Sequence, residues 1–214
     1  VFDNNTASWV IMPNAFEVTL LYIQGCTDST AINYYPNANI DDGSCTYQMT
    51  YVPDDNFEQA LINLGYDNVL DDSVLTTNID TVTSLNVTGS WSVNGGITDL
   101  TGIEDFTALT HLFCNHNLLT SLNLSTNTAL TNLECGNNPL TSLDVSANTA
   151  LTSLHCWSNL LTSLDVSANT ALTSLSCFYT PLTSLDVSNN TALTYLHCGN
   201  AQLTSLDVSG ATAL

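Results

Sequence analysis

Apolar residues recur across the second half of the chain with a fixed rhythm. Over residues 119–214 the segments LTSLNLSTNTALTNLECGNNP, LTSLDVSANTALTSLHCWSNL, LTSLDVSANTALTSLSCFYTP and LTSLDVSNNTALTYLHCGNAQ follow one another without a gap. Each is 21 residues long, and a fifth copy begins at Leu203. Self-similarity at a short fixed period marks a solenoid, whose coils bury their apolar sides only against neighbouring coils. Two patterns alternate within a coil: Leu151-x-x-Leu154-x-Cys156-x-x-Asn159-x-Leu161, then Leu161-x-x-Leu164-x-Val166-x-x-Asn169-x-x-Leu172. The centre of each has period two, which predicts a short strand with Leu154 and Cys156 pointing inward and His155 outward. Asn127, Asn148, Asn169 and Asn190 form one column; Asn117, Asn138 and Asn159 form another. Both fall where the chain turns and an amide can satisfy buried backbone groups. Thr180 and Ala201 interrupt the second column, which predicts looser turns there.

The pattern changes towards the N-terminus. Residues 97–118 form a first repeat of 22 residues, and 83–87 (TSLNV) are a degenerate copy. In 51–65, Phe57, Leu61 and Leu64 fall at i, i+4 and i+7. Pro53 with Asp54 and Asp55 suits a helix start, and Gly65 a helix end. A helix over 54–64 covers the open end of an array, so 48–96 reads as cap and lead-in and 97–214 as the repeats. The acidic cluster over 54–72 predicts a solvated face. Residues 1–24 hold two strand-like runs, 9–12 and 18–23, around a turn at Pro13 and Asn14. They predict the end of an upstream β domain or a hairpin.

Charge narrows the possible partners. The chain has 20 acidic residues, no Lys or Arg, and a net charge of −20. Without basic groups it has no clamp for phosphate, which argues against nucleic acid and anionic membrane surfaces. The same charge favours divalent cations and solubility. No apolar run approaches the ~18 residues of a membrane-spanning helix. The chain starts in strand-like sequence and stops within a repeat, as expected of a piece of a longer protein.

Seven cysteines fall into two groups. Cys26 and Cys45 bracket a polar loop and look like a disulfide of an oxidising compartment. Cys114, Cys135, Cys156, Cys177 and Cys198 recur every 21 residues as a core column. The column reads first as buried thiols acting as small hydrophobes. Disulfides between adjacent coils are a second reading. A metal cluster is a third, although a ladder does not converge on one point.

The loop over 25–47 (unit 25–45, GCTDSTAINYYPNANIDDGSC) carries the oxygen donors Asp28, Asn33, Asn37, Asn39, Asp41 and Asp42. Hard cations such as Ca2+ take about six to eight such oxygens. The segment resembles the short Cys-bounded repeats, GCxDxxAxNYxPxAxxDDGSC, of secreted bacterial surface proteins, akin to thrombospondin type 3 calcium repeats. That resemblance implies a calcium-binding loop closed by Cys26 and Cys45.

The array resembles bacterial leucine-rich repeats of the short 21-residue class, in which both halves of a coil carry an L-x-x-L-x-L-x-x-N signature. The resemblance implies a β-rich solenoid: a right-handed leucine-rich repeat coil with a parallel sheet on one side. An N-terminal cap helix precedes it, and before that come a small disulfide-closed calcium loop and a β remnant. Asp144, Asp165, Asp186 and Asp207 stack like charges at about one strand spacing, where each adjacent pair repels by roughly 0.9 kcal/mol in water. Hydrogen bonds in the turns, or an ion-binding strip, must offset this.

The positions that vary between units carry the candidate contacts. One column reads Phe113, Glu134, His155, Ser176, His197; two residues on come Asn115, Gly136, Trp157, Phe178, Gly199; next to these are His116, Asn137, Ser158, Tyr179, Asn200. Tyr195 precedes His197 by two. Aromatic side chains on a rigid scaffold suit recognition, which selects Phe113, His116, His155, Trp157, Phe178, Tyr179, Tyr195 and His197. His155 and His197 are two coils apart, about 10 Å, too far to share a metal ion. None of the familiar catalytic motifs occurs. The expectation is a non-enzymatic extracellular or cell-surface module for adhesion or recognition of protein or glycan. The alternative is a structural stalk, spacer or self-associating filament subunit.

Overall fold

The computed structural model describes residues 22–89 and 96–214, with the backbone alone of residues 2–3 and 8–9. There β1 (Phe2–Asp3) pairs antiparallel with β2 (Ser8–Trp9). Most of the two strand-like runs, 10–12 and 18–21, lies outside the described residues. Contacts divide the chain into two units, Val1–Tyr47 and Gln48–Leu214.

The first unit is held by few elements. β3 (Gln24–Gly25) and β4 (Ile40–Asp41) pair in parallel. Cys26 and Cys45 form a disulfide across a Cα separation of 4.7 Å. Among the described residues of this unit only Cys26 and Ala31 are buried. Over residues 22–47, where so little apolar surface is covered, the covalent link does the holding that a core would do. Asn33 fastens the far end: its amide nitrogen donates to the Ser44 carbonyl, and its oxygen accepts from the Thr46 amide at 2.8 Å.

The second unit opens with β5 (Met49–Tyr51) paired antiparallel with β6 (Ser73–Leu75), and helix α1 (Asp55–Leu64) between them. Asp54 caps α1 by accepting from the amides of Asn56 and Phe57 at 2.9 and 3.0 Å. Its second oxygen takes the amide and hydroxyl of Thr98 and the amide of Asp99. One carboxylate therefore joins the cap helix to the first repeat. Burial pushes its pKa up, but these hydrogen bonds outweigh that and leave it below the ordinary range. Gly65 ends the helix at φ 82°, a left-handed cap. Phe57 and Leu61 are fully buried, whereas Leu64 is half exposed and does not continue the apolar stripe. The buried acid is Glu58, which lies wholly inside and accepts from the amides of Asp71, Asp72 and Ser73 at 2.9–3.1 Å. The acidic stretch is thus not uniformly a solvated face: Asp54 and Glu58 are its internal fasteners.

The repeats build one parallel sheet. β7 (Ser84–Asn86), β8 (His111–Phe113), β9 (Asn132–Glu134), β10 (Ser153–His155), β11 (Ser174–Ser176) and β13 (Tyr195–His197) lie side by side in that order. Leu85, Leu112, Leu133, Leu154, Leu175 and Leu196 are in register. On the other side of the coil β12 (Ser184–Asp186) pairs with β14 (Ser205–Asp207). Leucines 109, 130, 151, 172 and 193, leucines 119, 140, 161 and 182, and Val145, Val166 and Val187 fill the interior with no exposure. Cys114, Cys135, Cys156 and Cys177 stack beside them as free thiols, and Cys198 is partly buried. Burial drives the thiols of Cys114 and Cys177 up to about 12, and those of Cys135 and Cys156 well above the usual value.

The asparagine columns lace adjacent coils together. Asn138 donates to the carbonyls of Cys114, Cys135 and Gly136 and accepts from the Leu119 amide. Asn159 repeats this one coil on. Thr180 bonds only the Cys177 carbonyl of its own coil, so the lacing stops there. Each residue of the Asp column closes a turn. Asp144, Asp165, Asp186 and Asp207 each accept the amide two residues on, at 2.8–2.9 Å. Hydrogen bonds from Ser146, Ser167 and Ser209 hold Asp144, Asp165 and Asp207 below the usual carboxylate range.

Candidate functional site

The outward side chains of the sheet are dictated by its pleat. Along β8 to β13 they are His111 and Phe113, Asn132 and Glu134, Ser153 and His155, Ser174 and Ser176, then Tyr195 and His197. Immediately beyond the strands the chain turns through a left-handed residue: His116, Asn137, Ser158, Tyr179 and Asn200 have φ between 49° and 58°. Among residues with a side chain, asparagine tolerates this conformation best. Tyr179 holds it at a cost of about 1 kcal/mol and is 59% exposed.

Rings from successive coils meet along this edge. Trp157 and Phe178 stack at 5.4 Å and 9°, and Phe178 stacks on His197 at 4.5 Å and 17°. His116 meets Trp157 edge-on at 5.3 Å, and Tyr179 meets Phe178 likewise. Tyr195 packs against His197, while His111 and Phe113 form a second stacked pair at 6.4 Å. Both faces of Phe178 are therefore covered, and only its rim is offered outward. Open aromatic surface comes chiefly from Tyr179 and from Tyr195, which is 51% exposed.

Two residues outside that candidate set also shape this face. The Trp157 indole lies directly over Gly136, where a Cβ would sit 2.3 Å from the ring. The signal was present: Gly136 occupies the same column as Trp157, one coil earlier. Glu134 is the other. Asn115, itself buried, donates to its carboxylate at 2.8 Å, and His155 Nδ1 lies 3.8 Å away. Of the outward sheet residues it is the one carboxylate.

The loop residues of the first unit make hydrogen bonds within the loop. Asp28 accepts from Thr30 and from the Tyr47 hydroxyl, Asn39 from the Ile23 amide, Asp41 from Gly43, and Asp42 from Ser44. Asn33 clips residues 44 and 46, and Asn37 is exposed. Hydrogen bonds from Thr30 and Ser44 lower the pKa of Asp28 and Asp42. Among the described residues no three His, Cys, Asp or Glu side chains gather as a metal site, and no helix is long and apolar enough to cross a membrane.

A parallel sheet with in-register leucines, asparagine lacing and a capped start defines a leucine-rich repeat solenoid. The chain is homologous to internalin J of Listeria monocytogenes serotype 4b (strain F2365), with 44% identity over 78 residues, 36% of this chain and 8% of that protein. A solved structure of the functional domain of InlJ from Listeria monocytogenes, described as including a cysteine ladder, is also 44% identical. It superposes with a TM-score of 0.69 over 78% of this chain and 37% of that one. Internalin C2 of the same species shares the fold at 21% identity and a TM-score of 0.50, covering 79% of this chain and 95% of that one. A leucine-rich repeat protein of Leptospira interrogans does so at 24% and 0.55, over 61% of this chain and 34% of that one. No family model matches the chain. The chain thus spans well under half of internalin J and of its solved domain.

Proposed function

We propose that the chain is a non-enzymatic recognition module of an extracellular or cell-surface protein, and that the sheet edge around Trp157 contacts a protein or glycan. The observation that carries this is the ring cluster spanning coils, Trp157, Phe178, Tyr179 and His197, on a scaffold that is otherwise nearly invariant. Rings locked against one another lose little freedom on binding, which suits a contact surface. Changing Trp157, Phe178 and Tyr179 together to alanine is expected to abolish attachment to the ligand-bearing surface. Full attachment by a triple variant that keeps its far-ultraviolet circular dichroism sinks this reading.

Calcium in the N-terminal unit is a second, separate proposal. Its support is the run of hard oxygens at Asp28, Asn33, Asn37, Asn39, Asp41 and Asp42. Because most of these now close turns, binding requires the loop to exchange some turn bonds for the ion. A chelator is expected to speed amide hydrogen exchange over residues 25–47 and leave the repeats unchanged; equal exchange with and without chelator rejects calcium.

A further inference from the structure

One coil departs from the repeat along the whole of its turn. Phe178, Tyr179 and Thr180 stand between Cys177 and Pro181, where the first full coil has Gly136, Asn137 and Asn138 between Cys135 and Pro139. Two of these exchanges work against the fold. Asn138 laces three carbonyls of two coils, whereas Thr180 reaches only Cys177 of its own. Asn137 suits the left-handed backbone; Tyr179 holds it at φ 52° and leaves a ring 59% exposed. Strain kept at an exposed aromatic points to a use for the ring.

The surroundings of that ring narrow the use. Across β8, β9, β10, β11 and β13 the outward side chains, and those of the turns as far as the left-handed residue, are aromatic, imidazole, hydroxyl or amide, with Glu134 the one carboxylate. No aliphatic side chain is among them; Leu118 and Leu160, both half exposed, lie two residues beyond. The face is also small. Five strands at about 4.8 Å and six residues at about 3.3 Å give on the order of 500 Å², against about 800 Å² per partner in a standard protein interface.

We propose that this face binds an uncharged oligosaccharide, with Tyr179 and Tyr195 as the open rings and Trp157, Phe178 and His197 as the stacked row that braces them. The proposal rests on the recognition reading above and narrows its ligand to one class. One side of a pyranose is a row of C–H groups that packs on an aromatic ring, while its hydroxyls need donors and acceptors close by. Tyr179 stands at 62° to Phe178 and Tyr195 at 78° to His197, so each open ring leans on the stacked row. The phenol hydroxyls, His197 and Asn200 all belong to exposed residues and supply the polar partners. Braced side chains lose little freedom on binding. Charge excludes sialylated and sulfated glycans: a chain at −20 without Lys or Arg repels their anions and has no side chain of fixed positive charge to pair with them.

The test is a microarray of uncharged, sialylated and sulfated oligosaccharides probed with the whole chain. Signal is expected on uncharged glycans alone. Tyr179→Asn is the decisive variant, because asparagine fits the left-handed turn. It should lower the signal about tenfold while the melting temperature stays at or above the parent's. A blank array, charged glycans bound as well as uncharged ones, or a Tyr179→Asn variant that binds like the parent overturns the proposal. If the array overturns it while the Trp157, Phe178 and Tyr179 triple variant still loses attachment, the recognition surface stands and its partner is a protein. If that triple variant attaches fully, the recognition reading falls as well.

Discussion

Glu58→Gln is expected to cost about 3 kcal/mol of stability. The parent carboxylate is fully buried and accepts from three consecutive backbone amides, Asp71, Asp72 and Ser73. An amide side chain of the same shape has one acceptor oxygen, and its nitrogen would turn two hydrogens towards backbone donors. At least one of the three N–H groups then faces the side-chain nitrogen and is left without a partner. The loop over 71–73 leads straight into β6, which pairs with β5, so the fault spreads to the cap as a whole. A drop in melting temperature of roughly 10 °C should accompany it. A melting temperature within a degree or two of the parent's would mean that the loop repacks and that Glu58 is not its anchor.

The second large effect concerns the lacing between coils. Asn159→Ala removes a buried side chain that donates to the Cys135, Cys156 and Trp157 carbonyls and accepts from the Leu140 amide. The Cys156 carbonyl and the Leu140 amide lose their partner, at about 1 kcal/mol each, while the Cys135 carbonyl keeps Asn138 and the Trp157 carbonyl keeps the Asn137 amide, giving a total near 2 kcal/mol. The loss should appear locally, because solenoid coils are stabilised by nearest neighbours. Hydrogen exchange is expected to rise most in the coils that hold Leu140 and Leu161. The reciprocal change, Thr180→Asn, restores the missing rung between the third and fourth full coils. It should raise stability by about 1 kcal/mol. A neutral or destabilising Thr180→Asn alongside a severe Asn159→Ala would show that the turn at 180 has already settled into another geometry.

Much of this architecture was legible because it is periodic. Strand positions, the inward leucine and cysteine columns and the role of asparagine all follow from repetition, which averages out the ambiguity of any single three-residue strand. The helix was legible through its ends, Asp54 and Gly65, more reliably than through its stripe, since Leu64 is exposed. What stayed hidden depended on contacts between distant parts of the chain. Nothing local distinguishes Glu58, which is buried, from Asp55, which is exposed. Their difference lies in the 71–73 loop folding back over one of them. At the candidate surface the sequence located the rings but not their orientation. That Phe178 is sandwiched, and presents a rim instead of a face, follows from the coil spacing and from the room left at Gly136.

Gly136 bears on how such an array can diversify. Trp157 fits because the preceding coil leaves its backbone bare at that column; with any side chain there, the indole is displaced. His197 likewise leans beside Gly199 within its own coil. Repeats of this kind are usually pictured as interchangeable tiles, each free to acquire its own contact residue. Here the heritable unit of surface variation is larger than one tile. A coil bearing a tryptophan in this orientation needs a predecessor that carries glycine at that column, so these two positions are coupled.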